Sequence, residues 1–163
     1  MDTMLLNLLL FAIALAGMEA VAYFTHKYVM HGFLWSLHES HHVPKHNRLE
    51  LNDLFAVFFA APSIALIYAG VNIYEPMLWL GLGMTAYGFV YFAFHDVLVH
   101  RRIPHRFTPK SGYFRRVVQA HHMHHANKGK EGAVSFGFVY APNIEKLKRE
   151  QKRLRSEASQ TAS

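Results

Sequence analysis

Residues 5–24, 54–73 and 77–94 form three apolar runs that carry almost no charge. Asn7 and Glu19 are the strongly polar residues of the first, and the other two hold no charged residue at all. A helix needs roughly 17–25 predominantly apolar residues to cross a bilayer, and each run meets that length. A helix of a water-soluble protein seldom stays uncharged this long, because one of its faces meets water. The first run has no positive charge before it, unlike a cleaved signal peptide, and further runs follow, so it reads as a plain first span. With 163 residues, of which 52% are hydrophobic, the expected fold is all-α. It is an integral membrane helical bundle with three to four transmembrane helices, a fourth arising if a long helix splits or a re-entrant one tucks in.

Charge orients this bundle. All 17 Lys and Arg residues lie in 25–52 or 99–163. Positive loops stay in the cytoplasm, which puts both segments, and a histidine-rich helical cap built from them, on the cytoplasmic side of the membrane. Basic patches that flank spans point to anionic lipid headgroups and not to nucleic acid.

Ten of the 13 histidines fall into four motifs. They are His26-x4-His31, His38-x2-His41-His42, His95-x4-His100 and His121-x2-His124-His125. Neutral imidazole is the commonest transition-metal ligand. Ten is too many for one ion and suits two. Positions i, i+3 and i+4 share a helix face, so His38, His41 and His42 are expected to point at one place, as are His121, His124 and His125. Five residues overshoot one α-helical turn by about 140°, so the His-x4-His pairs converge only where a helix frays, kinks or ends. Had one motif fallen on the opposite membrane face, a single site would be impossible; the charge pattern puts all four together. An all-nitrogen donor set takes zinc, iron, copper or nickel.

Ligating imidazoles give their other N–H to an acceptor. Asp96, beside His95, and Glu19, seven residues before His26, are the candidates. His46 and His105 read as surface or loop groups, and His122 as facing lipid headgroups or supporting a ligand. The chain has no cysteine, so disulfides, thiolate zinc sites and Cys-ligated clusters are excluded. Gly81, Gly83 and Gly88 have no strand before them and read as helix-packing glycines. Asn52–Asp53 is expected to cap the second span, and Pro76 to start the third. A helix is expected from about Tyr113 to His125. Ile144, Leu147 and Leu154 make a thin stripe in a basic tail that reads as a membrane-surface helix or a solvated segment, its last ten residues disordered.

The segments His26-Lys-Tyr-Val-Met-His31-Gly, His38-Glu-Ser-His41-His42, His95-Asp-Val-Leu-Val-His100 and His121-His122-Met-His124-His125 resemble the membrane fatty acid hydroxylase superfamily. Arg115-Arg116-Val117-Val118-Gln119-Ala120 and Gly132-Ala133-Val134-Ser135-Phe136-Gly137-Phe138 bring the resemblance closer to its bacterial beta-carotene hydroxylases. It covers about residues 20 to 142. The resemblance implies a non-haem di-iron monooxygenase domain over 1–142, followed by a basic C-terminal helix or tail over 143–163. It further implies two iron ions held by the ten motif histidines, O2 as co-substrate, and hydroxylation of beta-ionone rings at C3 and C3′. Beta-carotene would become beta-cryptoxanthin and then zeaxanthin. The chain has no flavin, haem or nicotinamide motif, so electrons come from an external ferredoxin and its NAD(P)H-dependent reductase. Arg101, Arg102, Arg115 and Arg116 are expected to attract that acidic donor. Phe89, Tyr91, Phe92 and Phe94 are expected along the substrate's path from the bilayer.

Three other readings compete: a fatty acid or sterol hydroxylase or desaturase with the same motifs, a zinc or nickel transporter, and a bis-histidine haem protein. A transporter would hold its ligands near the bilayer midplane. A haem protein would need only two or four histidines facing each other inside the bundle.

Overall fold

A computed structural model describes residues 2–43 and 49–161 of the chain. Helix α1 (Thr3–Phe24) continues into a π-helical segment (Thr25–Phe33), and α2 (Trp35–His42) follows. A single 3-10 turn (Leu51–Asp53) opens α3 (Leu54–Asn72). Helix α4 (Pro76–Tyr91) runs into a second π-helical segment (Phe92–Val99), followed by α5 (Gly112–His125) and α6 (Ile144–Thr161). Among the described residues there is no strand.

Three helical stretches are long and apolar enough to span a bilayer: Thr3–Phe33, Leu51–Asn72 and Pro76–Val99. Only 11%, 17% and 17% of their most apolar windows are buried. Most of their apolar surface therefore faces outward, as it does when lipid and not protein is the neighbour. Helix α4 packs against both α1 and α3. A Cβ on Gly83 would lie 2.6 Å from the Phe11 carbonyl oxygen, and one on Gly81 2.8 Å from Ile67 Cγ1. Both glycines thus let helices approach closely, as expected. Gly88 does not: nothing lies within 4 Å of its Cβ position.

Local signals set the helix ends. Asp2 accepts from the Met4 N–H and caps α1. Pro76 occupies the first turn of α4, where its missing N–H costs nothing. The cap before α3 differs from the expected Asn52–Asp53: Glu50 and Asp53 form a reciprocal capping box, and Asn52 is buried. At the far end of the bundle Glu75 accepts from Asn7 at 2.6 Å and from Trp79 at 2.8 Å.

A cap joins these spans at the other end. Val99, Val117, Ala120, Val134, Ala141 and Leu147 form one core, joining the second π-helical segment to α5, α6 and the segment before α6. Met18, Ala22, Tyr87 and Phe138 form another, which ties that segment to α1 and α4. The C-terminal stripe docks here, with Leu147 buried and Ile144 and Leu154 packed alongside. The disorder expected for the last ten residues is not found: α6 stays helical to Thr161, with Arg153 paired to Glu150 and Glu157 along its exposed face.

Candidate metal centre

The structure brings all ten motif histidines to one end of the bundle, in two adjoining groups. His26, His31, His38, His42 and His124 present ligand atoms within 4.8 Å of one another, as do His41, His100, His121 and His125. His95 joins the second group, its Nε2 3.0 Å from that of His41. The rings of His42 and His125 stack at 4.5 Å where the groups meet.

Each His-x2-His-His motif divides between the two groups instead of pointing at one place. His38 and His42 serve the first, and His41 the second. His121 and His125 serve the second, and His124 the first. The i, i+4 pair keeps one azimuth, and the remaining histidine leans toward the neighbouring group. Each group thus takes one His-x4-His pair, one i, i+4 pair and one histidine from across.

The His-x4-His pairs converge by a route other than fraying. Both lie in π-helical winding, where hydrogen bonds run from i+5 to i. The His100 N–H itself donates to the His95 carbonyl at 2.9 Å, and Leu34 to Val29 at 3.0 Å. This looser turn brings side chains five apart toward one face. Gly32 then takes a non-helical conformation, and the chain bends into α2.

The outer nitrogens are tied down. Nδ1 donates to the Phe136 carbonyl from His26, to Lys130 from His31, to Asn127 from His42 and to Val134 from His124, at 2.8–3.0 Å. His38 Nδ1 faces Asn52 Oδ1 at 2.6 Å. His41 Nδ1 faces Glu50 Oε2 at 2.9 Å, and His95 Nδ1 faces Asp96 Oδ1 at 3.0 Å. Ser135 sits at φ 60°, a left-handed turn between two carbonyls that serve different histidines.

This arrangement fits a metal. A carbonyl oxygen only accepts, so the Nδ1 of His31, His42 and His124 must carry the proton. Their Nε2 lone pairs then face each other at 3.1 Å and 3.0 Å. Lone pairs so placed repel unless a cation lies among them. A proton is opposed, because burial holds His42 down at about 4 and His124 well below the usual imidazole range. Burial likewise lowers His38 to about 3 and His100 to about 4. At an imidazole–metal distance of about 2.1 Å, nitrogens at right angles are about 3.0 Å apart. The Nε2 contacts within the groups measure 2.9–3.2 Å.

Several expected residues sit elsewhere. Asp96 does hold His95, but Glu19 touches no histidine. Its Oε1 accepts the backbone N–H groups of Phe138, Val139 and Tyr140 at 2.8–3.0 Å, and Tyr87 donates to its Oε2 at 2.5 Å. Glu19 therefore clamps the segment whose Phe136 carbonyl holds His26. Arg102 is no free docking group: it pairs with Asp53 at 2.7 Å and reaches Glu50 at 3.4 Å and Asp96 at 3.7 Å. His105 donates from Nε2 to the Val97 carbonyl oxygen at 2.8 Å and is half-buried. His122 is exposed, and His46 lies outside the described residues. Glu50 and Asn52 escaped the sequence reading, because nothing in their spacing relates them to a histidine.

An apolar cavity of about 500 Å³ leads to the groups from within the spans, lined by α1, α3 and α4 and closed by Phe138 and Asp96. Phe89, Tyr91 and Phe92 line it as expected, whereas Phe94 packs on Tyr113 and Phe114. Three hydroxyl-bearing residues of its lining are engaged by protein: Ser63 and Thr85 bond Gly81 and each other, and Tyr87 bonds Glu19. Phe138 stands between this cavity and both groups, stacked on His26 at 5.0 Å and edge-on to His95 at 5.2 Å.

A family model described as fatty acid hydroxylase matches residues 11–145. A protein of Pantoea ananas named beta-carotene hydroxylase is 54% identical over 141 residues, covering 86% of this chain and 81% of its own. One of Paracoccus sp. (strain N81106 / MBIC 01143) with the same name is 46% identical, covering 94% and 98%. Beta-carotene hydroxylase 1, chloroplastic, of Capsicum annuum is 41% identical over 79% of this chain and 42% of its own. No solved structure gives a significant match.

Proposed function

The chain belongs to the fatty acid hydroxylase family, and from that membership we propose that it is a beta-carotene 3-hydroxylase. It would convert beta-carotene to beta-cryptoxanthin and then zeaxanthin, acting at C3 and C3′ of the beta-ionone rings. The observation that carries this reading is an apolar cavity inside the spans that reaches Tyr91, Asp96 and Phe138, which touch His95 and His26 of the two histidine groups. The hydroxyls of Ser63, Thr85 and Tyr87 in its lining are spent on protein partners, so a hydrocarbon ring leaves those donors paired. Ile64 and Phe89 line it and are exposed on the bundle's outer face, where a lipid-dissolved substrate can enter. The histidines sit at the bundle's end and not at mid-span, which speaks against a transporter.

His26, His31, His38, His42 and His124 would hold one iron, and His41, His95, His100, His121 and His125 the other. The bound pair would activate O2 against an unactivated ring C–H bond. Each hydroxylation consumes one O2, two electrons and two protons and releases water. The chain's own part is positional. Carbonyls, two carboxylates and the Asn52 amide hold His26, His31, His38, His41, His42, His95 and His124 by Nδ1, which keeps their lone pairs on Nε2. Phe138 and Tyr91 wall the reacting ring, Tyr91 being stacked on His95 at 4.6 Å. Electrons would come from an acidic ferredoxin-type donor with its reductase, docking on Arg101, Arg115 and Arg116, all exposed. With basic loops inside, the histidine end faces the cytoplasm from the bacterial inner membrane.

The test uses bacteria that accumulate beta-carotene, expressing the chain or a His124→Ala variant at matched membrane level. One or two added oxygens per pigment with the parent and none with the variant is the expected result. Unchanged pigment with both, from an iron-loaded parent supplied with electrons, would redirect the reading to a fatty acid or sterol substrate.

A further inference from the structure

We propose that the two histidine groups are unequal metal centres, with the second (His41, His95, His100, His121 and His125) holding its ion more tightly through Glu50 and Asp96. This rests on the two-metal reading above. In the first group every Nδ1 faces a neutral oxygen: the carbonyls of Phe136, Lys130, Asn127 and Val134, and the amide of Asn52. In the second, two of the Nδ1 partners are carboxylates, Glu50 at 2.9 Å and Asp96 at 3.0 Å.

The two kinds of partner orient a ring equally well but differ in what they do to its other nitrogen. A carboxylate draws the Nδ1 proton toward itself and raises the electron density at Nε2. It also adds negative charge two bonds from the ion's ligand, in surroundings where Coulomb energy is poorly screened. The immediate balance around the second group is anionic: three carboxylates, Glu50, Asp53 and Asp96, share one guanidinium, Arg102. Beside the first group stands a cation, Lys128, whose Nζ lies 3.0 Å from the His42 carbonyl oxygen and which also bears on His125 across the boundary.

Arg102 is the positioning residue of this asymmetry. It joins Glu50 and Asp53, from the turn before α3, to Asp96, from the segment after α4. It thereby aims two carboxylates from different elements at two histidines of one centre. Burial raises the Glu50 carboxyl, and Arg102 works against that rise.

The experiment titrates the metal-stripped full chain in detergent with 57Fe(II), without air, against a competing chelator, and follows each addition by Mössbauer spectroscopy. Two binding steps at least tenfold apart are expected. In the unmodified protein, half-loading gives one quadrupole doublet, and the second grows in with the second equivalent. Combining Glu50→Gln with Asp96→Asn weakens the tight step about 10- to 100-fold and leaves the weak one in place. Asn52→Ala, acting on His38, weakens the weak step alone. Two equivalents bound with one affinity, both doublets rising together, overturn the ordering while leaving the two-metal reading intact. So does a carboxylate variant that weakens the same step as Asn52→Ala. Fewer than two equivalents bound overturn the two-metal reading and the ordering with it. The half-loaded spectrum of the unmodified chain tests the inequality of the two centres, and Glu50→Gln or Asp96→Asn singly assigns the tight step if the double variant fails to fold.

Discussion

A methyl group on Gly137 would meet the Tyr140 carbonyl oxygen at 2.5 Å and Glu19 Oε1 at 2.9 Å. Neither can yield easily, because Glu19 Oε1 already accepts three consecutive backbone N–H groups. Gly137→Ala is expected to cost about 1–3 kcal/mol of stability from overpacking and to lower iron content, since Phe136 carries the carbonyl that holds His26. Thermal unfolding and metal analysis of the purified variant check this; unchanged values for both would mean that the clamp does not position the site. The role of Glu19 was half legible. An acid in an apolar run signals a function, but its partners lie 68 residues (Tyr87) and 119–121 residues (Phe138, Val139, Tyr140) away in the chain, and no local pattern names them. Glu50 and Asn52 show the same limit from the other side. They are ordinary polar residues whose importance comes only from standing beside His41 and His38.

Helix α4 uses its glycines in two ways. Gly81 and Gly83 admit neighbouring helices, whereas Gly88 faces open space and lines the cavity. Gly88→Phe should therefore fill the substrate's path while sparing helix packing: turnover falls at least tenfold, and iron content stays at the parent's level. Product analysis beside metal analysis tests it, and full turnover would remove this cavity from the route. The three glycines read alike in sequence, because spacing along one helix does not say which side faces a helix and which a void. The His-x4-His pairs were legible as an anomaly, five residues being wrong for an α-turn. Their solution, π winding closed by the His95–His100 hydrogen bond, depends on the ligands being pulled to one point.

Acid should loosen the metal-free molecule as a whole. The motif histidines outside the spans are held below the ordinary 6.5 chiefly by burial, His42 and His100 to about 4. Between those values the unfolded chain binds protons that the folded chain refuses, so stability rises with pH across the window and is lost as pH falls through it. The unfolding midpoint of the metal-free protein should drop steadily from about pH 6.5 to about pH 4. A midpoint flat over that range would show that the folded groups take up protons freely. Bound metal should move the loss to lower pH, since it competes with protons for the same lone pairs.

The sequence by itself determined that three runs are long and apolar enough to cross a membrane, that the basic residues lie in the same segments as most of the motif histidines, and that ten imidazoles suit two ions. Those properties follow from length, charge and composition, which act along the chain. The tertiary structure decided how the histidines divide, which oxygens other than that of Asp96 hold the Nδ1 atoms, and that carboxylates serve one group and neutral oxygens the other. The carbonyls that hold His26, His31, His42 and His124 come from residues 127–136, and only the packing of the cap against the spans brings them within hydrogen-bonding reach.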